Sequence, residues 1–170
     1  MKTYNYKGKI YPGFLKTGDA AGYIRKAAQY FCEGEGLDIG AGPYPFPGAT
    51  PIDMGENENA YELPQKEYDY IFSSHCLEHL ENPVKALRYW KTRLKPGGCL
   101  FLYLPHPDME YWLPQNNPRH LHEFEPIKIK KLLQDVGFKN VMNSERDFYW
   151  SFAVVGFMPE VVIEQMPETD

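Results

Sequence analysis

Apolar positions along this chain fall into short runs cut by proline, glycine and charge, and the runs switch between two periods. Ile24, Ala27, Ala28 and Phe31 recur at helical spacing, predicting a helix over about 20–31 with Asp19 as its cap. Gly34 and Gly36 end it, and a short apolar strand follows over about 36–39. Pro43, Pro45 and Pro47 then fill the stretch where a crossover helix would normally lie. The link to the next apolar run, Ala49-Thr50-Pro51-Ile52, is therefore coil or a single helical turn. Residues 55–67 are polar and offer only a very short element near Ala60 and Tyr61.

Residues 68–74 predict a further strand. Asn82 and Pro83 open a helix that buries Leu87, Trp90 and Leu94 and stops at Lys95-Pro96-Gly97-Gly98. The almost unbroken apolar run 99–104 is what a strand covered on both faces requires. Pro126 opens another helix, with Ile129, Leu132, Leu133 and Val136 on one face and Gly137 at its end. Stretches 138–141 and 148–158 read as a final antiparallel pair. Residues 1–17 read as an irregular arm rich in aromatic and basic side chains. The alternation gives the α/β class, a mostly parallel sheet with an antiparallel C-terminal edge and helices on both faces, in one domain over 1–170.

Composition narrows the function. An apolar content of 43% over 170 residues supports a folded globule rather than a disordered chain. A net charge of −5 provides no polyanion footprint and disfavours a nucleic-acid partner. Cys32, Cys76 and Cys99 are odd in number and set among apolar neighbours, as buried thiols of a reducing compartment would be. The N-terminus has no apolar core of signal-peptide length, and no run is long enough to span a membrane, so a cytoplasmic location is expected. Nothing in the sequence sets an oligomeric state.

The chemistry concentrates where a strand meets a glycine turn, in Gly36-Leu37-Asp38-Ile39-Gly40-Ala41-Gly42. Asp53 ends the second apolar run. A strand, a glycine turn and a second strand tipped with a carboxylate form a nucleotide pocket in open parallel sheets, because bare backbone admits the ligand and the carboxylate accepts ribose hydroxyls. The nicotinamide version requires a longer helix after the glycines and a later acidic residue, and the prolines exclude that helix.

Four segments in order resemble the class I S-adenosylmethionine-dependent methyltransferases, within them the small methyltransferase type 11-like group. They are Leu37-Asp38-Ile39-Gly40-Ala41-Gly42-Pro43, Ile52-Asp53, Tyr68-Asp69-Tyr70-Ile71-Phe72-Ser73-Ser74-His75-Cys76-Leu77-Glu78-His79-Leu80, and Leu94-Lys95-Pro96-Gly97-Gly98-Cys99-Leu100. The resemblance implies a reduced Rossmann-like sheet, S-adenosylmethionine as cofactor and a small or medium-sized molecule as methyl acceptor. It implies that Asp38 and the backbone of Gly40, Ala41 and Gly42 hold the amino-acid part of the cofactor. Asp53 would take the ribose, Met54 the adenine face, Asn59 and Ala60 would lie beside the base with Glu62 nearby, and Ser73, Ser74 and His75 would face the sulfur. Tyr44 stands where the family has a third glycine.

Methyl transfer is an in-line displacement in which positioning supplies much of the rate, and a general base is needed only for a protonated acceptor. His75 and His106 fall at the ends of two predicted parallel strands, the ligand-binding edge, and are the candidates for base or acceptor-positioning group. His120 and His122 border the acceptor pocket or sit on the surface. Aromatic residues of the N-terminal arm and of 105–118 form a lid over the acceptor. Two rival readings remain. One is a binding module that kept the fold and lost the chemistry. The other is a zinc peptidase using His75-Cys76-Leu77-Glu78-His79, which needs a helix through 75–79 and a third ligand that the sequence does not identify, so no metal is assigned.

Overall fold

A computed structural model describes residues 2–16, 19–53 and 60–160. The expected irregular arm is instead an antiparallel hairpin of β1 (Thr3–Tyr6) and β2 (Lys9–Pro12), followed by a 3-10 turn over Gly13–Lys16. Its two-residue turn, Lys7-Gly8, has positive φ at both positions (48° and 82°), the geometry whose twist matches that of paired strands. Tyr11 is buried, and its ring meets Trp150 edge-on at 4.9 Å, which pins the hairpin to the body.

The main sheet contains β3 (Gly36–Ile39), β4 (Thr50–Ile52), β5 (Tyr68–Ser74), β6 (Leu94–Pro105), β7 (Lys139–Asn143) and β8 (Ser151–Phe157). Their order is β4-β3-β5-β6-β8-β7. The pairs β3–β4, β3–β5 and β5–β6 are parallel, and β8 inserts antiparallel between β6 and β7. This is the expected mostly parallel sheet with an antiparallel C-terminal edge.

Among the described residues three α-helices cover it. On one face α1 (Ala21–Ala28) packs over Tyr70, Phe72, Cys99 and Phe101. On the other, α2 (Pro83–Lys91) and α3 (Pro126–Val136) bury Leu87, Trp90, Ile129 and Leu133 against Ile71, Leu100 and Leu102. Alternate residues of the central strands β5 and β6 thus enter opposite halves of the core, which is why 70–72 and 99–104 are apolar on both faces. Asn82 caps α2 by accepting from the Lys85 amide at 2.9 Å, with Pro83 in the first turn. Gly137 closes α3 at φ 103°, a left-handed position that suits glycine.

Two expectations need correction. The α2 helix ends at Lys91, so Leu94 belongs to a strand and not to the helix. The Tyr68 amide takes the Arg93 carbonyl at 2.8 Å, and Leu94 pairs with Tyr68, so strand pairing captures this segment before the helix can reach it. Lys95 to Gly98 then lie inside β6 at a register shift rather than forming the stop. Between β3 and β4 no helix forms, as the prolines require. Phe46 fills that space. It is buried and stacks on Phe72 with ring centroids 4.5 Å apart.

Candidate active site

The parallel strands β3, β4, β5 and β6 all end at one edge of the sheet, where their last residues and the loops beyond them form a pair of adjoining clefts. The first, about 130 Å³, is lined by Asp38, Gly40, Ala41, Gly42, Ser74 and His75, together with the start of α1 and Tyr44. The second, about 90 Å³, is walled by Phe14, Leu15, Tyr23, Tyr103, Trp112 and Tyr149. Asp19, Ala20 and His75 belong to both.

In the first cleft Asp38 is fully buried and accepts the Phe46 amide at 2.7 Å, which ties the proline loop to β3. Burial pushes its carboxyl up to about 6, against the pull of the Phe46 amide and Arg25, with a smaller push from the negative Asp53. Gly40 has φ 82°, and a Cβ there would stand 2.5 Å from the Cys76 Cβ and 2.7 Å from its sulfur, so only glycine fits. Gly42, at φ 53°, faces open space. The amides of Gly40 and Ala41 both go to the Ile52 carbonyl, at 2.7 and 3.3 Å. These two bonds fix the end of β4, with Asp53 exposed immediately after it, beside the turn.

The end of β5 splits by face. The Ser73 hydroxyl donates to the Ile39 carbonyl at 2.8 Å, inside the core and away from the cleft. The Ser74 hydroxyl lines the cleft, buried and without a hydrogen-bond partner among the described residues. A buried hydroxyl left unpaired costs stability unless a ligand or water satisfies it, so Ser74 fits a polar ligand in this cleft. Ala60 is buried, and its carbonyl accepts the Trp90 indole N–H at 2.7 Å, a core role. Glu62 is exposed on the turn beyond it. Met54 and Asn59 lie outside the described residues.

His75 follows β5 at φ 48°, a strained position for a non-glycine residue and of a kind that clusters at functional sites. Its amide donates to the Tyr103 carbonyl at 2.8 Å, and Nε2 lies 2.9 Å from the Ser151 hydroxyl. The ring meets Trp112 edge-on at 5.0 Å. Burial holds its imidazole well below the usual range, with His120 and His79 adding to the effect. His106 is brought elsewhere. It faces a separate crevice with His122 and Phe124, and its Nδ1 accepts the Asp108 amide at 3.2 Å.

The second cleft also uses residues that no motif singled out, Tyr103 and Tyr149 among them. Tyr23 and Tyr149 stack with centroids 4.0 Å apart, and the Tyr103 hydroxyl donates to Asp147 at 2.5 Å. Phe14 and Leu15 from the N-terminal segment and Trp112 from the long loop line this cleft as well. The legible signals for Asp19 and Ala20 were the helix-start pattern; nothing in the spacing pointed to Tyr149.

His-x-x-Glu-His does not lie on an α-helix. Leu77–His79 is a single 3-10 turn, and His75 stands outside it in the left-handed region, so the peptidase geometry is absent. Glu78 is nonetheless completely buried, with neither carboxylate oxygen hydrogen-bonded among the described residues. His79 and His120 converge on it, their ligand atoms and the carboxylate within 4.8 Å of one another. His120 is buried beside Glu78, not on the surface or along the acceptor cleft, and His122 bonds the Leu80 carbonyl at 2.8 Å.

Comparison with known proteins supplies the family. Residues 17–143 match the family model described as a methyltransferase domain. Among curated proteins, the chain is 27% identical over 122 residues to the highly reducing polyketide synthase pkhB of Emericella nidulans, covering 64% of this chain and 4% of that protein. It is 28% identical over 103 residues to lcsB, a highly reducing polyketide synthase of Purpureocillium lilacinum, covering 61% and 4%. The chain therefore spans only about 4% of the length of these relatives. In fold it is similar to a SAM-dependent methyltransferase of Archaeoglobus fulgidus (TM-score 0.64, 20% identity, 80% of this chain and 91% of that one). It is similar too to a phosphoethanolamine N-methyltransferase of Haemonchus contortus solved with S-adenosyl-L-methionine (TM-score 0.62, 13% identity, 81% and 53%). With the family model matched along most of its length, the chain belongs to the methyltransferase domain family.

Proposed function

We propose that this enzyme methylates a small or medium-sized acceptor held in the aromatic cleft, with the cofactor's amino-acid end in the adjoining glycine-lined cleft. The observation that carries the reading is that the His75 side chain is a wall of both clefts, where two reactants would have to meet.

When bound, S-adenosylmethionine supplies a methyl group on a positively charged sulfur. Asp38 and Asp53 place negative charge on that side of the sheet edge, and the Ser74 hydroxyl offers an unspent polar group. The open space at Gly42 lets backbone approach a ligand closely. On the acceptor side Tyr23, Trp112 and Tyr149 form flat walls suited to a planar or apolar body and exclude water from the meeting point. The Tyr103 and Ser151 hydroxyls and the His75 ring supply the polar contacts that orient the accepting atom. Holding two reactants in line is worth about 7–11 kcal/mol of barrier, so positioning is the work assigned to these residues.

The test is transfer of an isotopically labelled methyl group to a panel of small acceptors. Turnover that falls roughly a hundredfold in His75→Ala, with cofactor affinity nearly kept, supports the reading, since misplacing a reactant by about 1 Å can cost that much. Cofactor binding with no turnover of any acceptor would favour a binding module that has lost its chemistry.

A further inference from the structure

We propose that Glu78, His79 and His120 form a binding site for a first-row transition-metal dication of the zinc class, beside the acceptor cleft. Glu78, His79 and His120 line neither cleft, His75 bordering both the clefts and this site, and the proposal does not depend on the methyl-transfer reading.

The geometry is that of ligands awaiting a cation. His79 Nδ1 lies 2.6 Å from the Arg119 carbonyl, which can only accept, so the proton sits on Nδ1 and the Nε2 lone pair points the other way. That Nε2 is 3.7 Å from Glu78 Oε1. An ionised carboxylate and an imidazole lone pair facing each other at this distance repel unless a cation or a proton lies between them. His120 repeats the pattern. The backbone of Trp112 hydrogen-bonds its ring, while Nδ1 is buried with no partner among the described residues. A backbone carbonyl holding the far nitrogen of a ligating histidine is the usual way to fix tautomer and ring orientation at a metal.

The carboxylate makes the same point. Both Glu78 oxygens are buried and unpaired among the described residues, and a carboxylate in that state is strongly disfavoured. His75 Nδ1 stands 3.8 Å from Glu78 Oε1 and closes a fourth side. The backbone keeps the partners together, since the Glu78 carbonyl takes the Leu121 amide at 2.8 Å and the His122 amide at 3.2 Å. His79, with its side chain 33% exposed, leaves a way in from solvent. Ligand atoms of a four-coordinate zinc site stand roughly 3.4 Å apart, so the 3.7 Å His79–Glu78 pair is already close while the set as a whole, within 4.8 Å, must draw in on the ion. Two or three imidazoles with one carboxylate suit zinc, cobalt or manganese, whereas magnesium and calcium call for oxygen ligands.

The experiment titrates the chelator-stripped full chain with zinc, in competition with a chromophoric chelator, and records the visible spectrum of the cobalt form. The expected result is one zinc per chain at micromolar or tighter affinity, unaffected by millimolar magnesium, with a raised Tm. Cobalt should give the intense visible bands of a low-symmetry nitrogen and oxygen site. Glu78→Gln and His120→Ala should each weaken zinc at least tenfold, and His106→Ala should not. Absence of stoichiometric zinc on the folded wild-type chain overturns the proposal, as does unchanged affinity in both site variants. Should either variant fail to fold, the wild-type Tm shift and cobalt spectrum decide the matter in the same two directions.

Discussion

Two residues, Gly40 and Asp38, shape the glycine-lined cleft. Gly40 combines φ 82° with a Cβ position already taken by Cys76, so Gly40→Ala strains both backbone and packing. A loss of about 1–3 kcal/mol in urea unfolding is expected, the usual cost of a disallowed backbone position. Asp38 carries the pH dependence. In the unfolded chain its carboxyl titrates near the ordinary value, while in the folded chain burial raises it to about 6. Between these values the folded state keeps a proton that the unfolded state has released, so stability from this group falls as pH rises towards 6 and is level above it. A cationic ligand favours the ionised carboxylate. Affinity for S-adenosylmethionine should thus weaken below about pH 6, by at most roughly tenfold per pH unit, and Asp38→Asn should abolish that dependence. Calorimetric titration between neutral pH and about pH 5 reads both.

At the scale of elements, the strands that carry the site were the most legible. Residues 70–72 and 99–104 are buried, so apolar side chains run through the middle of both strands without a polar break. The Asn82-Pro83 start of α2 was equally plain, because cap and first-turn proline are local chemistry. Asn82→Ala should cost about 1 kcal/mol by loss of the bond to the Lys85 amide, measured as a lowered urea midpoint with unchanged slope. The end of α2 was not legible, since Leu94 has helical spacing and only its pairing with Tyr68 decides its state. The N-terminal hairpin was hidden for the opposite reason. Its strands are four residues each and mostly exposed, and they are fixed by contacts with Tyr111 and Trp150 far along the chain.

For the molecule as a whole, the sheet edge was readable and the convergence upon it was not. Asp38, the glycine turn and Ser74–His75 follow strand ends, and strand ends meet by topology. The aromatic cleft gathers Phe14, Tyr23, Trp112 and Tyr149 from four separate segments, and His120 reaches Glu78 across some forty positions, which no local pattern encodes. Ser73 and Ala60 match motif positions, and the structure spends the Ser73 hydroxyl on the Ile39 carbonyl and the Ala60 carbonyl on the Trp90 indole. The account then stands or falls on the glycine-lined cleft holding a sulfonium nucleoside. Isothermal titration of S-adenosylmethionine and its demethylated product into wild-type protein and Asp53→Ala is the direct measurement. Binding on the order of micromolar is expected, weakened at least roughly tenfold, about 1.4 kcal/mol, once the carboxylate is removed. Folded wild-type protein that binds neither molecule, or two proteins of equal affinity, would contradict it.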